Sequence, residues 1–192
     1  MSDIYGERRL TAKAEVYDFD SRKVFGQERE VFVPGESCVE AFTIPFASLA
    51  LPKPHFIKLR LLENGREIDG TFYWRSNSEW KGQNTVTGPC VGGFEELSSL
   101  PPTTLAVERT GDGVAVRNTG DKVAFMVEVK ALDAQGQRIV PTHYSDNFFS
   151  LLPGESRTVK MECDVPVEKA SAEAWNVSHS TKEKSCNNQT NN

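Results

Sequence analysis

The chain has 192 residues, 38% of them hydrophobic and 26% charged, enough to build one medium or two small folded domains and inconsistent with wholesale disorder. The formal net charge is −5 and the Lys and Arg residues are scattered, which argues against nucleic-acid binding, where clustered cations must neutralise phosphates. No apolar stretch is long enough to cross a bilayer: the best, Ala41 to Leu51, is short and contains Pro45. Met1 to Glu7 has no basic patch leading into an apolar run and so does not look like a secretory signal.

Period-two alternation dominates. Leu10, Ala12, Ala14 and Val16 alternate with Thr11, Lys13, Glu15 and Tyr17, which predicts a strand with one buried and one wet face. Val33-Pro34-Gly35-Glu36-Ser37 then introduces a strand ending at Ile44-Pro45. Ile57, Leu59 and Leu61 flank Lys58 and Arg60. Asn64-Gly65, between Phe56–Glu63 and Arg66–Trp74, is a hairpin signal, because a type I′ turn needs positive φ at both central residues. From Ser76 to Pro102 glycine and proline recur without alternation, and residues 78–102 read as a linker in which Phe94–Leu100 makes a turn or two of helix.

Beyond it, Gly111-Asp112-Gly113 separates Thr104–Arg109 from Val114–Asn118. Phe125, Val127, Val129 and Ala131 alternate with Glu128 and Lys130, and Gln135-Gly136 ends that run. Leu152-Pro153-Gly154-Glu155-Ser156 repeats the earlier turn and precedes a strand ending at Val165-Pro166, with Val159, Met161 and Cys163 facing inward. Trp175 reads as core of the last strand, and the polar residues 179–192 as a disordered tail.

Many short strands with frequent turns predict an all-β chain of two tandem immunoglobulin-like β-sandwiches, 1–77 and 103–178. Only about five strands precede Trp74 where such a sandwich needs about seven. The first sandwich is therefore expected to be incomplete at its N-terminus, and the chain to be the C-terminal part of something longer.

No reaction is specified. There is no Gly-x-Ser-x-Gly elbow, and Gly111-x-Gly113 is a turn, not a phosphate loop. His55, His143 and His179 are isolated, and Cys38, Cys90, Cys163 and Cys186 match no zinc or redox spacing, so no metal or cofactor is expected. Cys38 and Cys163 fall in strand-like runs and read as buried free thiols. The acidic pairs Asp18/Asp20 and Glu95/Glu96 read as surface groups, since a glycosidase needs two carboxylates converging across one bond. Among the aromatics, Trp74 and Trp80 are candidates for stacking on sugar rings; the competing reading is that alternate members of Phe72-Tyr73-Trp74 fill the core and the rest pack between modules.

Two segments carry a specific resemblance. Phe56-Ile57-Lys58-Leu59-Arg60-Leu61 with Phe72-Tyr73-Trp74-Arg75-Ser76, and Tyr144-Ser145-Asp146-Asn147-Phe148-Phe149-Ser150-Leu151-Leu152-Pro153-Gly154-Glu155 with Ala174-Trp175-Asn176-Val177, resemble the C-terminal immunoglobulin-like domains of glycoside hydrolase family 2 enzymes. The branch is that of the β-mannosidases and exo-β-glucosaminidases. The resemblance implies a non-catalytic accessory region partnered with a (β/α)₈ barrel that holds the two catalytic glutamates, neither of which has a counterpart here. It further implies an exported or periplasmic protein, and leaves carbohydrate as a possible second partner.

Overall fold

The computed structural model describes residues 6–51, 54–76, 94–111 and 113–177. Every regular element among them is a strand or a short 3₁₀ turn, and no helix is long and apolar enough to cross a membrane. Backbone contacts divide the chain into two compact units, Met1–Leu100 and Pro101–Asn192.

The first unit is one antiparallel sheet of four strands: β1 (Arg8–Tyr17), β2 (Lys23–Val33), β3 (His55–Glu63) and β4 (Arg66–Arg75), in the order β2-β1-β3-β4. The predicted Asn64-Gly65 hairpin joins β3 to β4, with φ of 51° and 78° at its two central residues. The alternation of β1 is matched in register on β3: Ala12 opposes Leu61, Ala14 opposes Leu59 and Val16 opposes Ile57. Directly opposed residues of an antiparallel pair share a face, so these six side chains line one side of the sheet. Val16 and Ile57 bury there against Leu51, with Ile44, Phe46 and Leu49 packed alongside. That cover comes from the segment after β2, where a strand to Ile44 is expected. No strand forms, because residues 38–43 find no ladder partner among the described residues.

The opposite face of β1 is not simply wet. Glu15 is buried, its carboxylate taking hydrogen bonds from Arg60 of β3 and, at 3.0 Å, from Lys23 of β2. A buried carboxylate is tolerable only when paired and hydrogen-bonded. Burial alone would push its pKa up; the Lys23 hydrogen bond and the Arg60 charge outweigh this and hold it below the ordinary value of 4.5.

The second unit closes on itself. β5 (Leu105–Thr110), β6 (Gly113–Asn118), β10 (Ser156–Glu162) and β8 (His143–Tyr144) form one sheet in the order β5-β6-β10-β8. β11 (Lys169–Glu173), β7 (Ala124–Leu132) and β9 (Phe149–Leu151) form the other, in the order β11-β7-β9. Val114 and Val116 of β6 and Val159 and Met161 of β10 meet Val127, Val129 and Ala131 of β7 and Phe149 and Leu151 of β9 in one core. These are the inward members of the predicted alternations. At the end of this core Asn118 is fully buried. Its carboxamide oxygen accepts from the Thr103 hydroxyl (2.9 Å) and the Gly120 N–H (3.1 Å); its nitrogen donates to the carbonyls of Lys122 (2.6 Å) and Leu151 (2.9 Å). All four bonds available to a carboxamide are made. Asn176 does the same for the closing segment, accepting from Phe125 N–H and donating to the carbonyls of Pro101 and Val123.

Several expectations need correction. Cys38 is exposed and Cys163 half-buried; both are free thiols, but neither stands in a strand, Cys163 lying just beyond the end of β10 at Glu162. Trp175 is 63% exposed, because β11 ends at Glu173 and the chain turns there, leaving Asn176 to enter the interior instead. The Phe94–Leu100 segment, by contrast, makes its expected turn of helix, as the 3₁₀ helix Glu95–Ser99 ahead of Pro101. The predicted linker up to Gly93 and the predicted tail fall outside the described residues, as do Cys90, Cys186 and His179.

Two stability effects follow. Asn118→Leu strands the Leu151 carbonyl and the Gly120 N–H, leaving the Lys122 carbonyl only its bond from the Thr103 hydroxyl (3.1 Å), and should destabilise the second unit by about 2–4 kcal/mol; differential scanning calorimetry should show one transition moving down with the other unchanged. Glu15→Gln should cost the first unit about 1 kcal/mol at neutral pH, reduced by the solvent exposure of Lys23. Because the folded pKa of Glu15 lies below the unfolded one, its contribution is full above pH 4.5 and fades as pH falls through the folded value. The stability gap between wild type and Glu15→Gln, followed by urea titration, should therefore be flat above that pH and shrink below it.

Candidate functional site

Of the two aromatic candidates, Trp74 stands on β4 and is 42% exposed; Trp80 lies outside the described residues. Trp74 opposes Phe56 in the β3–β4 register, and Tyr73 opposes Ile57. Trp74 and Phe72 therefore share a face with Phe56, which is fully buried and stacks with Phe72 at 5.8 Å between centroids. Tyr73, 54% exposed, points to the other face. The exposed pair Tyr73–Trp74 thus cannot form a single stacking platform, since neighbours on a strand project to opposite sides.

The segment from Tyr144 to Glu155 in the second unit has an architectural explanation. β7 pairs with β9 only at Ala124 and Val127, with an irregular register between them, where Met126 has a φ of 52°. Side chains from this segment supply acceptors along the rest of that edge. The N–H of Met126 donates to the Ser150 hydroxyl (3.2 Å), that of Val129 to the Asn147 side-chain oxygen (2.7 Å), and that of Ala131 to the Tyr144 hydroxyl (3.0 Å). The Asn147 nitrogen returns a bond to the Val129 carbonyl (3.1 Å), so one carboxamide imitates a paired strand residue. Asp146 pairs with Arg157, whose guanidinium lies over the Phe149 ring. The Glu155 carboxylate accepts from the Leu152 N–H and holds the Pro153-Gly154 turn. Each of these contacts ties the motif to β7, to β10 or to its own turn, which is a structural duty.

The acidic groups are likewise engaged. Asp18 accepts from the N–H groups of Asp20 and Arg22 and shapes the β1–β2 turn. Glu128 and Glu173 oppose one another across β7 and β11, the one pair of facing carboxylates that the strand registers bring together among the described residues. Each is neutralised: Lys130 contacts Glu173 at 2.7 Å and Glu128 at 3.7 Å, and Arg138 contacts Glu128 at 2.8 Å. The Glu173 hydrogen bond raises the Lys130 ammonium above its ordinary pKa. A glycosidase needs two carboxylates that face each other across a scissile bond in a cleft that admits a sugar; carboxylates each paired to a cation on a sheet face do not offer this. Among the described residues no three His, Cys, Asp or Glu side chains gather as metal ligands.

The concave feature that sequence reading did not anticipate is on the first unit. A groove of about 470 Å³ runs along the Leu59 face of the sheet, lined by Ala12, Ala14, Leu59, Leu61, Asp69, Thr71 and Tyr73 and by Ala41, Phe42 and Ile44 of the segment after β2. Its signal in the sequence is the missing strands: a sheet with one alternating face and nothing predicted to cover all of it.

Comparison with known proteins places both units. Residues 1–77 match the family described as the mannosidase Ig/CBM-like domain, and residues 85–178 the exo-beta-D-glucosaminidase Ig-fold domain. Similar proteins include the exo-beta-D-glucosaminidase of Streptomyces avermitilis, 26% identical over 78% of this chain and 19% of that protein. The mannosylglycoprotein endo-beta-mannosidase of Lilium longiflorum is 37% identical over 34% of this chain and 8% of its own length. The crystal structure of the exo-chitosanase from Amycolatopsis orientalis shares the fold, with a TM-score of 0.67 at 22% identity over 90% of this chain and 23% of that one. The chain thus spans about a fifth of the length of the exo-beta-D-glucosaminidase relatives it matches. It belongs to the immunoglobulin-like domains of glycoside hydrolase family 2 enzymes of the exo-β-glucosaminidase and β-mannosidase type.

Proposed function

We propose that the chain is the non-catalytic C-terminal accessory region of a glycosidase acting on β-glucosaminides or β-mannosides, and that it docks on that enzyme's barrel. Its two immunoglobulin-like units would be residues 1–77 and 103–178, joined by 78–102. The observation that carries this reading is the pair of consecutive domain matches covering a fifth of enzymes several times longer. The geometry agrees with it. Among the described residues, the polar constellations at Asn118, Asn147, Asn176 and Glu15 spend their hydrogen bonds on the chain's own backbone and side chains, which is a structural use of them.

The carbohydrate-binding alternative rests on the exposure of Trp74 and separates cleanly by experiment. The purified chain should not turn over nitrophenyl β-mannoside or β-glucosaminide, and should migrate unretarded through gels containing chitosan or mannan. Adding it to a form of the parent enzyme that lacks this region should raise that enzyme's thermal midpoint. Turnover by the pure chain would refute the non-catalytic reading; retardation abolished by Trp74→Ala would move the assignment to carbohydrate binding.

A further inference from the structure

The two units repeat one motif with unequal results. In the second, Pro153-Gly154-Glu155-Ser156 leads into β10, which lies between β6 and β8 and helps cover the core. In the first, Pro34-Gly35-Glu36-Ser37 leads into residues 38–44, which reach the apolar face of the sheet but join no ladder. Burial alternates at the end of this segment as in a strand: Phe42 and Ile44 turn toward the sheet, Thr43 and Pro45 away. Among the described residues, no backbone N–H from Cys38 to Thr43 donates a hydrogen bond, and the Ala41 carbonyl is taken only by the Arg29 guanidinium, at 2.8 Å. Backbone groups beside an apolar face are normally paired, and an unpaired strand edge is a template for another strand.

From this unpaired edge and the apolar groove beside it, we infer that residues 38–44 are an acceptor for one added β-strand, uncharged and alternating branched apolar residues, supplied by the rest of the parent glycosidase. The occupant's chemistry follows from the site and from the second unit. The groove lining is mainly apolar, Ala12 and Ala14 leaving depth for branched side chains from above, with Lys13, Arg60 and Asp69 as its charged members. In the second unit the strand paired to β10 is β6, whose Val114 and Val116 are fully buried. Ladder hydrogen bonds would supply affinity and the alternate side chains register, as in other strand-addition complexes. Ser178–Asn192 cannot fill this role, having no Val, Ile, Leu, Met or aromatic residue. The inference rests on the reading of this chain as part of a larger enzyme and names one surface it would use there.

The test uses the full chain and a nine-residue peptide alternating Val and Thr with a lysine at each end, read by amide hydrogen exchange. Saturating peptide should slow exchange at residues 38–44 at least tenfold, while the same peptide with Asp for Val leaves them unchanged. Proline placed at Glu40 or at Thr43, both exposed positions that alternate along the edge, should abolish the effect in at least one of the two variants. Unchanged exchange with the Val peptide, or a response surviving both proline variants, overturns the acceptor. Protection that grows with chain concentration in the absence of peptide overturns the assigned occupant in favour of a second copy. None of these outcomes bears on whether the chain turns over a glycoside, so the two readings fail separately.

Discussion

The carboxamide of Asn118 is the point on which the second unit turns. It sits with no exposed surface at the end of β6 and gathers Thr103, Gly120, Lys122 and Leu151 through four hydrogen bonds. Its backbone adds two more, donating to the Glu155 carbonyl and accepting from the Gly154 N–H. Three loops are thus locked to one residue, and the two sheets close over Val114, Val127 and Val159. A buried amide left with any of these bonds unmade would cost more than a good bond gains, so this arrangement admits few alternatives. The same logic repeats at Asn147, which finishes a ladder that the short strand β9 cannot complete, and at Asn176, which ties the segment after β11 to Pro101, Val123 and Phe125.

The first unit obeys the same constraint with fewer means. Its single sheet must cover an apolar face, and the described residues offer only the segment from Ala41 to Leu51. That segment shields Val16 and Ile57 but leaves the groove over Ala12, Ala14, Leu59 and Leu61. One unit is closed by its own strands; the other has its core finished by a loop. This asymmetry separates the two units more than any side-chain cluster does.

Much of this architecture is legible in the sequence because period-two alternation is a local signal. β1, β7 and β10 appear where Leu10–Val16, Phe125–Ala131 and Val159–Met161 alternate, and the Asn64-Gly65 turn is marked by its backbone demands. What escapes is set by partners distant in the chain. Ser37–Ile44 has the composition of a strand, but a strand exists only with a neighbour, and its alternation cannot show that none is present. Glu15 carries a charge yet is buried, because Arg60, 45 residues away, comes beside it. Trp175 reads as core, yet the structure exposes it and buries Asn176 beside it, since the Asn has two carbonyls to satisfy. Of the two aromatics marked for stacking, Trp74 shares its face with a buried phenylalanine cluster and Trp80 is not described. The groove was visible only indirectly, as a shortfall in strand count.

The second unit closes its core with its own strands, while the first leaves part of one sheet face to be covered. Native-state hydrogen exchange on the whole chain, read as opening free energy for each amide, tests this directly. Amides of β6, β7 and β10 should exchange only with global unfolding of the second unit, and those of β1 and β3 should open at markedly lower free energy. Equal or greater protection of β1 and β3 in the isolated chain would contradict it.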